Sequence, residues 1–141
     1  MPTTVLLLAS RSSGPIVAWG VRREARASDL PVTGVLPKPE GAAAATAASL
    51  DRLVAGRLQA MLAGLADIAT QVRPGDSIEI VTEDAASLCG AVANVPDHLK
   101  RLMAVIRRNG IDISITAAGF QQEAALKKLA RQLDMTLAAA R

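Results

Sequence analysis

Residues 4–21 read TVLLLASRSSGPIVAWGV. The first part, Val5-Leu6-Leu7-Leu8-Ala9, is a continuous apolar run, too short for a stable helix and bounded by the polar stretch Ser10-Arg11-Ser12-Ser13-Gly14-Pro15. A run of that length with a turn signal at its end is the pattern of a strand buried on both faces. Residues 16–21, with Trp19 inside them, form a second strand, and the short connection between the two predicts a hairpin. A buried strand that opens a chain as one arm of a hairpin needs further strands beside it and helices above and below it.

Residues 32–36 give a third, weaker strand between Pro31 and Pro37, where missing ladder N–H groups are tolerated at a sheet edge. Residues 37–45 (PKPEGAAAA) read as a loop and helix approach. Leu50, Leu53, Val54, Leu58, Met61, Leu62, Leu65 and Ile68 then recur at three- and four-residue steps, so a long helix with one apolar stripe is expected, capped by Thr46 or Ser49. Pro74-Gly75-Asp76 stops it. Residues 77–82 (SIEIVT) alternate, placing Ile78, Ile80 and Thr82 on one face of a fourth strand. A short helix is expected over 84–93, a second from Pro96-Asp97 to a left-handed cap at Asn109-Gly110, and a fifth strand over 111–116. The last helix spans 121–140 with Leu126, Leu129, Leu133 and Leu137 on one side. The order is βββ-α-β-α-α-β-α, an α/β class with a mixed five-stranded sheet, and 141 residues suit one domain, 1–141.

Composition narrows the function. Half of the residues are hydrophobic, yet Trp19 and Phe120 are the only aromatics, so the core is aliphatic and base-stacking platforms are scarce. A net charge of +3 permits a polyanionic partner without requiring one. Cys89 is the only cysteine, which excludes an internal disulfide and any cysteine pair for a metal; a small buried thiol in a reducing cytoplasm is the expectation. His98 is the only histidine and reads as an exposed helix-start residue. No apolar run reaches the roughly 18 residues of a membrane span, and no basic segment precedes the first run to make it a signal peptide.

The element order, with Leu6-Leu7-Leu8 followed by the Gly14-Pro15 turn and Ala18-Trp19-Gly20-Val21, resembles the ribonuclease H-like superfamily. Ile78-Glu79-Ile80-Val81-Thr82-Glu83-Asp84 is similar to the fourth strand of that family. Ile113-Ser114-Ile115 leading to Ala118-Gly119-Phe120 is similar to its last strand and loop, and Lys127-Lys128-Leu129-Ala130 to its terminal-helix segment. The resemblance spans nearly the whole chain. It implies a two-metal phosphodiester hydrolysis in which four carboxylates hold Mg²⁺. Carried over residue by residue, the first carboxylate falls where Ala9 and Ser10 stand. The second falls early in the long helix, with Asp51 the nearest candidate. The third falls on Glu83, the match in register, or on Asp84, and the fourth where Lys127 stands. The loop that carries a histidine in the family is filled by Ala117-Ala118-Gly119-Phe120.

A site with Ser10 and Lys127 in two of four places lacks a metal bridge and holds an ammonium that repels a metal ion. The leading expectation is a ribonuclease H-like pseudoenzyme: a non-catalytic module binding nucleic acid, an RNA/DNA hybrid or a duplex, or a protein partner, with no cofactor. The phosphate-binding candidates are Lys100, Arg101, Arg107, Arg108, Lys127 and Lys128. One alternative is a divergent nuclease that recruits Asp51, Glu83 and Asp84 with Mg²⁺ or Mn²⁺ to cut an RNA/DNA hybrid. Another is a structural or oligomeric subunit, a homodimer pairing through the Ala- and Leu-rich last helix. If Lys127 replaces a metal-site acid, its side chain is expected to face the same point as Glu83.

Overall fold

The structure is a computed structural model describing residues 3–13, 16–24, 31–36, 49–92 and 97–139, with the side chains of residues 49–51, 92 and 98 outside the description. The expected loop over 37–45, the cap at Thr46 and the exposure of His98 lie outside it as well. Among the described residues the elements follow in the order β1 (Thr3–Ser13), β2 (Ile16–Arg23), β3 (Val32–Leu36), α1 (Ser49–Ile68), β4 (Ser77–Thr82), α2 (Ala85–Val92), α3 (Asp97–Arg108), β5 (Asp112–Ala117) and α4 (Phe120–Ala139). The sheet order is β3-β2-β1-β4-β5. The three meander strands are antiparallel, and β4 and β5 run parallel to β1. This is the mixed five-stranded α/β architecture that the hydrophobic pattern predicts.

β1 is central, with Leu8 opposite Val21 on one side and Thr82 on the other. Its apolar run is continuous because both faces are covered. Leu6 and Leu8 enter the core beneath the helices, together with Val21, Met61, Leu65, Ile78, Ile80, Leu99 and Ile106. Leu7 points the other way, to Val81 and Leu126, and Ala9 joins Ala18, Leu129, Leu133 and Leu137 beneath α4. All three leucines are at most 1% exposed, which stabilises the fold by about 1.5–3 kcal/mol per side chain. α1 and α3 therefore cover one face and α4 the other.

Three local outcomes bear on the site. β1 does not stop at Ala9: the ladder continues to Ser13, pairing Ser10 with Trp19 and Ser13 with Ile16. Backbone pairing is indifferent to side-chain polarity, and the apolar start of β2 gives the polar end of β1 a partner. α1 lies close to the sheet at Gly56 and Gly64. A Cβ on Gly64 would stand 2.8 Å from a Val21 methyl, and one on Gly56 would stand 3.2 Å from Ser10 Cβ. The expected cap of α3 is present: Gly110 has φ 80, its N–H donates to Arg107 O, and Ile111 N–H donates to Ile106 O. This paired pattern ends a helix without leaving buried carbonyls unsatisfied. Cys89, expected buried, is exposed because α2 turns it away from the core side occupied by Leu88. Among the described residues no helix is long and apolar enough to cross a membrane.

Candidate functional site

β1, β4 and β5 are parallel, so their C-terminal ends share one edge of the sheet. Ser10 lies there on β1, Thr82 at the end of β4 with Glu83-Asp84 just past it, and Ala117-Ala118 at the end of β5. α4 starts at the same edge. Thr82, Glu83, Asp84, Ala117, Ala118, Glu123, Leu126 and Lys127 line a cleft of about 440 Å³. It has a small apolar floor, three carboxylates and one ammonium. Glu83 and Lys127 thus face a common space.

Beneath the Glu83 wall of this cleft lies a buried guanidinium. Arg57, on the third turn of α1 and 6% exposed, donates from Nε to Ser10 Oγ at 3.2 Å and from Nη1 to the Glu83 carbonyl at 3.0 Å. Ser10, 8% exposed, donates its own hydroxyl proton to the Leu53 carbonyl at 2.7 Å. Thr82 Oγ1 is a second donor to the Glu83 carbonyl, at 3.1 Å. Arg57 reaches this place because Gly56 lets α1 approach β1 so closely. Its planar fork satisfies two acceptors at once, one on β1 and one in the turn after β4, which a lysine ammonium on a flexible stem does less well.

The carbonyl gripped by Arg57 and Thr82 precedes a strained residue. Asp84 has φ 51, a left-handed conformation that, after glycine, asparagine and aspartate tolerate best. Its side chain accepts from Ser87 Oγ at 2.6 Å, and its carbonyl accepts from the Ser87 and Leu88 N–H groups as α2 begins. The corner is over-determined, as strained residues in folded proteins must be. On the α4 side, Arg11 forms a forked pair with Asp134, Nε to Oδ1 at 3.1 Å and Nη2 to Oδ2 at 3.3 Å. The hydrogen bond to Asp134 and its charge hold the Arg11 pKa above its ordinary value, and the charge of Glu83 adds to this against the small cost of burial. Glu83 is therefore within electrostatic reach of Arg11 and shares the cleft with Lys127.

The other candidates are dispersed. Asp51 lies on α1 six residues before Arg57, about 9 Å along the axis at the usual helical rise, and its side chain is outside the description. Lys100, Arg101, Arg107 and Arg108 are exposed on α3. The helix runs opposite to the strands, since Gly110 contacts Gly75 just before β4. Lys100 and Arg101 therefore sit toward the cleft edge and Arg107 and Arg108 toward the far edge. Lys127 and Lys128 are exposed on α4, across the sheet from α3, and Lys127 lines the cleft. Among the described residues no group of three or more His, Cys, Asp or Glu side chains converges closely enough to hold a metal ion. The sequence reading passed over Arg57 and Arg11 as site residues. For Arg57 a signal existed: a charge three residues after Val54 and four before Met61 falls within the apolar stripe of α1. Of the two aromatics, Trp19 is 9% exposed, whereas Phe120 is 91% exposed at the first position of α4, one helical face with Glu123 and Lys127.

The sequence matches no protein-family model and no curated protein. Solved structures do match. The N-terminal ribonuclease H domain of a Mycobacterium tuberculosis protein, determined as a fusion with maltose-binding protein, is 12% identical with a TM-score of 0.61, and the alignment covers 100% of both chains. LC11-RNase H1, determined in complex with an RNA/DNA hybrid, is 10% identical with a TM-score of 0.53 over 95% of this chain and 99% of the other. At such identities the likeness is one of backbone architecture. Together with the strand order, the two parallel crossovers and the helix placement, it establishes that this chain has the ribonuclease H fold.

Proposed function

We propose that this chain binds the phosphate backbone of nucleic acid and does not cut it. The observation that carries the reading is Arg57, a buried guanidinium between Ser10 and Glu83. A two-metal mechanism needs hard oxygen ligands converging on two divalent ions. The described residues do not fit that requirement: beside the cleft carboxylates Glu83, Asp84 and Glu123 they put a cation at Lys127, a hydroxyl at Ser10 and a buried guanidinium between Ser10 and Glu83, and no three acidic side chains among them converge on one point. At about 4 Å and an effective dielectric near 20, one unit charge opposes another by about 4 kcal/mol, and a divalent ion doubles this. The alternative nuclease reading, with Asp51, Glu83 and Asp84 recruiting Mg²⁺ or Mn²⁺, has to overcome that repulsion.

Binding is supported by the surface. Lys100, Arg101, Arg107 and Arg108 are exposed on α3, and their side chains have no hydrogen bond or ion pair among the described residues. Lys127 and Lys128 add two cations on α4, and Phe120 offers an aromatic face beside the cleft. Phosphate contacts need only such side chains, and a hybrid is the ligand of LC11-RNase H1. The experiment is a paired assay on one labelled RNA/DNA hybrid. Anisotropy should report salt-sensitive binding, while gels with Mg²⁺ or Mn²⁺ should show no cleavage above a protein-free control. Metal-dependent cleavage lost in Glu83→Gln refutes the reading, as does an absence of binding at low salt.

A further inference from the structure

We infer that Arg57 is a resident cation that organises the site in place of an exchangeable metal ion, so that the architecture of the cleft is independent of metal. Two parts of the chain far from α1 in sequence meet at its guanidinium, the end of β1 through Ser10 and the residue after β4 through the Glu83 carbonyl, and Ser10 in turn donates to the Leu53 carbonyl of α1. Each acceptor is an oxygen, the donor type a divalent ion would also seek. The guanidinium supplies hydrogen bonds where an ion would supply coordination, and it cannot dissociate. It also acts on the cleft at one remove. By gripping the Glu83 carbonyl together with Thr82, it fixes the peptide leading into the left-handed Asp84, and with it the wall that presents Glu83 and Asp84 to the cleft. Arg57 is thus a positioning residue. The inference does not depend on nucleic-acid binding, and its test uses no nucleic acid.

The test is a set of thermal melts on the full chain in EDTA, in Mg²⁺ and in Mn²⁺, for wild type, Arg57→Lys, Arg57→Met and Arg57→Glu. Wild type should melt within about 1 °C of itself in all three conditions, because nothing that metal supplies is missing. Arg57→Met keeps the buried volume and loses every donor, leaving the Glu83 carbonyl and Ser10 with fewer partners. It should lose roughly 5 °C or more. Arg57→Lys keeps the charge without the fork and should fall between Met and wild type. Arg57→Glu places a carboxylate beside the Glu83 corner; it should melt lowest in EDTA and rise by roughly 3 °C or more in about 10 mM Mn²⁺. A wild type stabilised by Mn²⁺ by that amount overturns the inference. So does an Arg57→Met variant as stable as wild type, which would make the arginine mere packing. If Arg57→Glu does not fold in EDTA, refolding it with and without Mn²⁺ replaces the melt. Folding with Mn²⁺ alone supports the inference, and folding to the same extent with and without Mn²⁺ overturns it.

Discussion

Replacing Lys100, Arg101, Arg107 and Arg108 together by alanine removes the four exposed cations of α3 and leaves its buried face, Leu99, Met103 and Ile106, untouched. From residue 100 to residue 108 the helix advances about 12 Å. Duplex backbone carries one charge per roughly 1.7 Å of axis, so over that distance each cation can find its own phosphate. Each neutralised phosphate contributes about 0.9 to the slope of log affinity against log salt. If all four engage, the slope falls by about 3.6. Since Lys100 and Arg101 lie toward the cleft edge and Arg107 and Arg108 toward the far edge, each pair alone should remove about half. The assay is anisotropy of a labelled hybrid of roughly 20 base pairs between about 50 and 300 mM salt. Surface substitutions of this kind change stability by about 0.5 kcal/mol or less each, and a melt verifies that the variant is folded. A slope equal to wild type refutes the assignment of α3. A loss confined to one pair restricts the contact to that end of the helix.

Three further outcomes are expected. Lys127→Asp gathers four carboxylates around the cleft where three and an ammonium stood; it should melt a few degrees lower without metal and recover in millimolar Mg²⁺ by binding linkage, and a wild type that gains as much from Mg²⁺ would disprove the role given to Lys127. Gly64→Ala adds a methyl 2.8 Å from Val21 Cγ2, and although alanine favours a helix by about 1 kcal/mol, overpacking of about 1–3 kcal/mol should make the variant less stable in urea unfolding; a more stable variant would show that α1 can move off the sheet freely. Leu129→Ala empties a site that is 0% exposed beneath α4, and the expected loss of about 2–5 kcal/mol in the same assay fails only if α4 is not part of the folding unit.

The places where reading the sequence fell short share a cause. Periodicity reports apolar residues, so the stripe of α1 was read from its leucines. Yet Val54, Ala60, Met61, Leu65 and Ile68 are the fully buried apolar members, and Leu53, Leu58 and Leu62 are half-buried. The displacement comes from Gly56, Ala60 and Gly64, small residues four apart that bring the helix backbone onto β1 and β2 and rotate the long side chains to the flanks. The same close approach carries Arg57 inward. Glu83 and Asp84 were legible because they end a strand with a clear alternating pattern. Their joint presence in a cleft with Lys127 rests on α4 starting at the same sheet edge.

The order and kind of elements are written locally in the chain: two-sided burial makes Leu6, Leu7 and Leu8 a continuous run, alternation marks β4, and the Gly110 cap ends α3. These are local consequences of side-chain period and backbone freedom. What only the tertiary structure decided is which charged residues meet. Ser10, Arg57 and Glu83 are separated by 47 and 26 positions in the chain and come together because parallel strands share an edge and a helix with glycines packs close above it. No local pattern encodes that convergence, because it depends on how elements dock, and the same docking places a guanidinium between Ser10 and the Glu83 carbonyl.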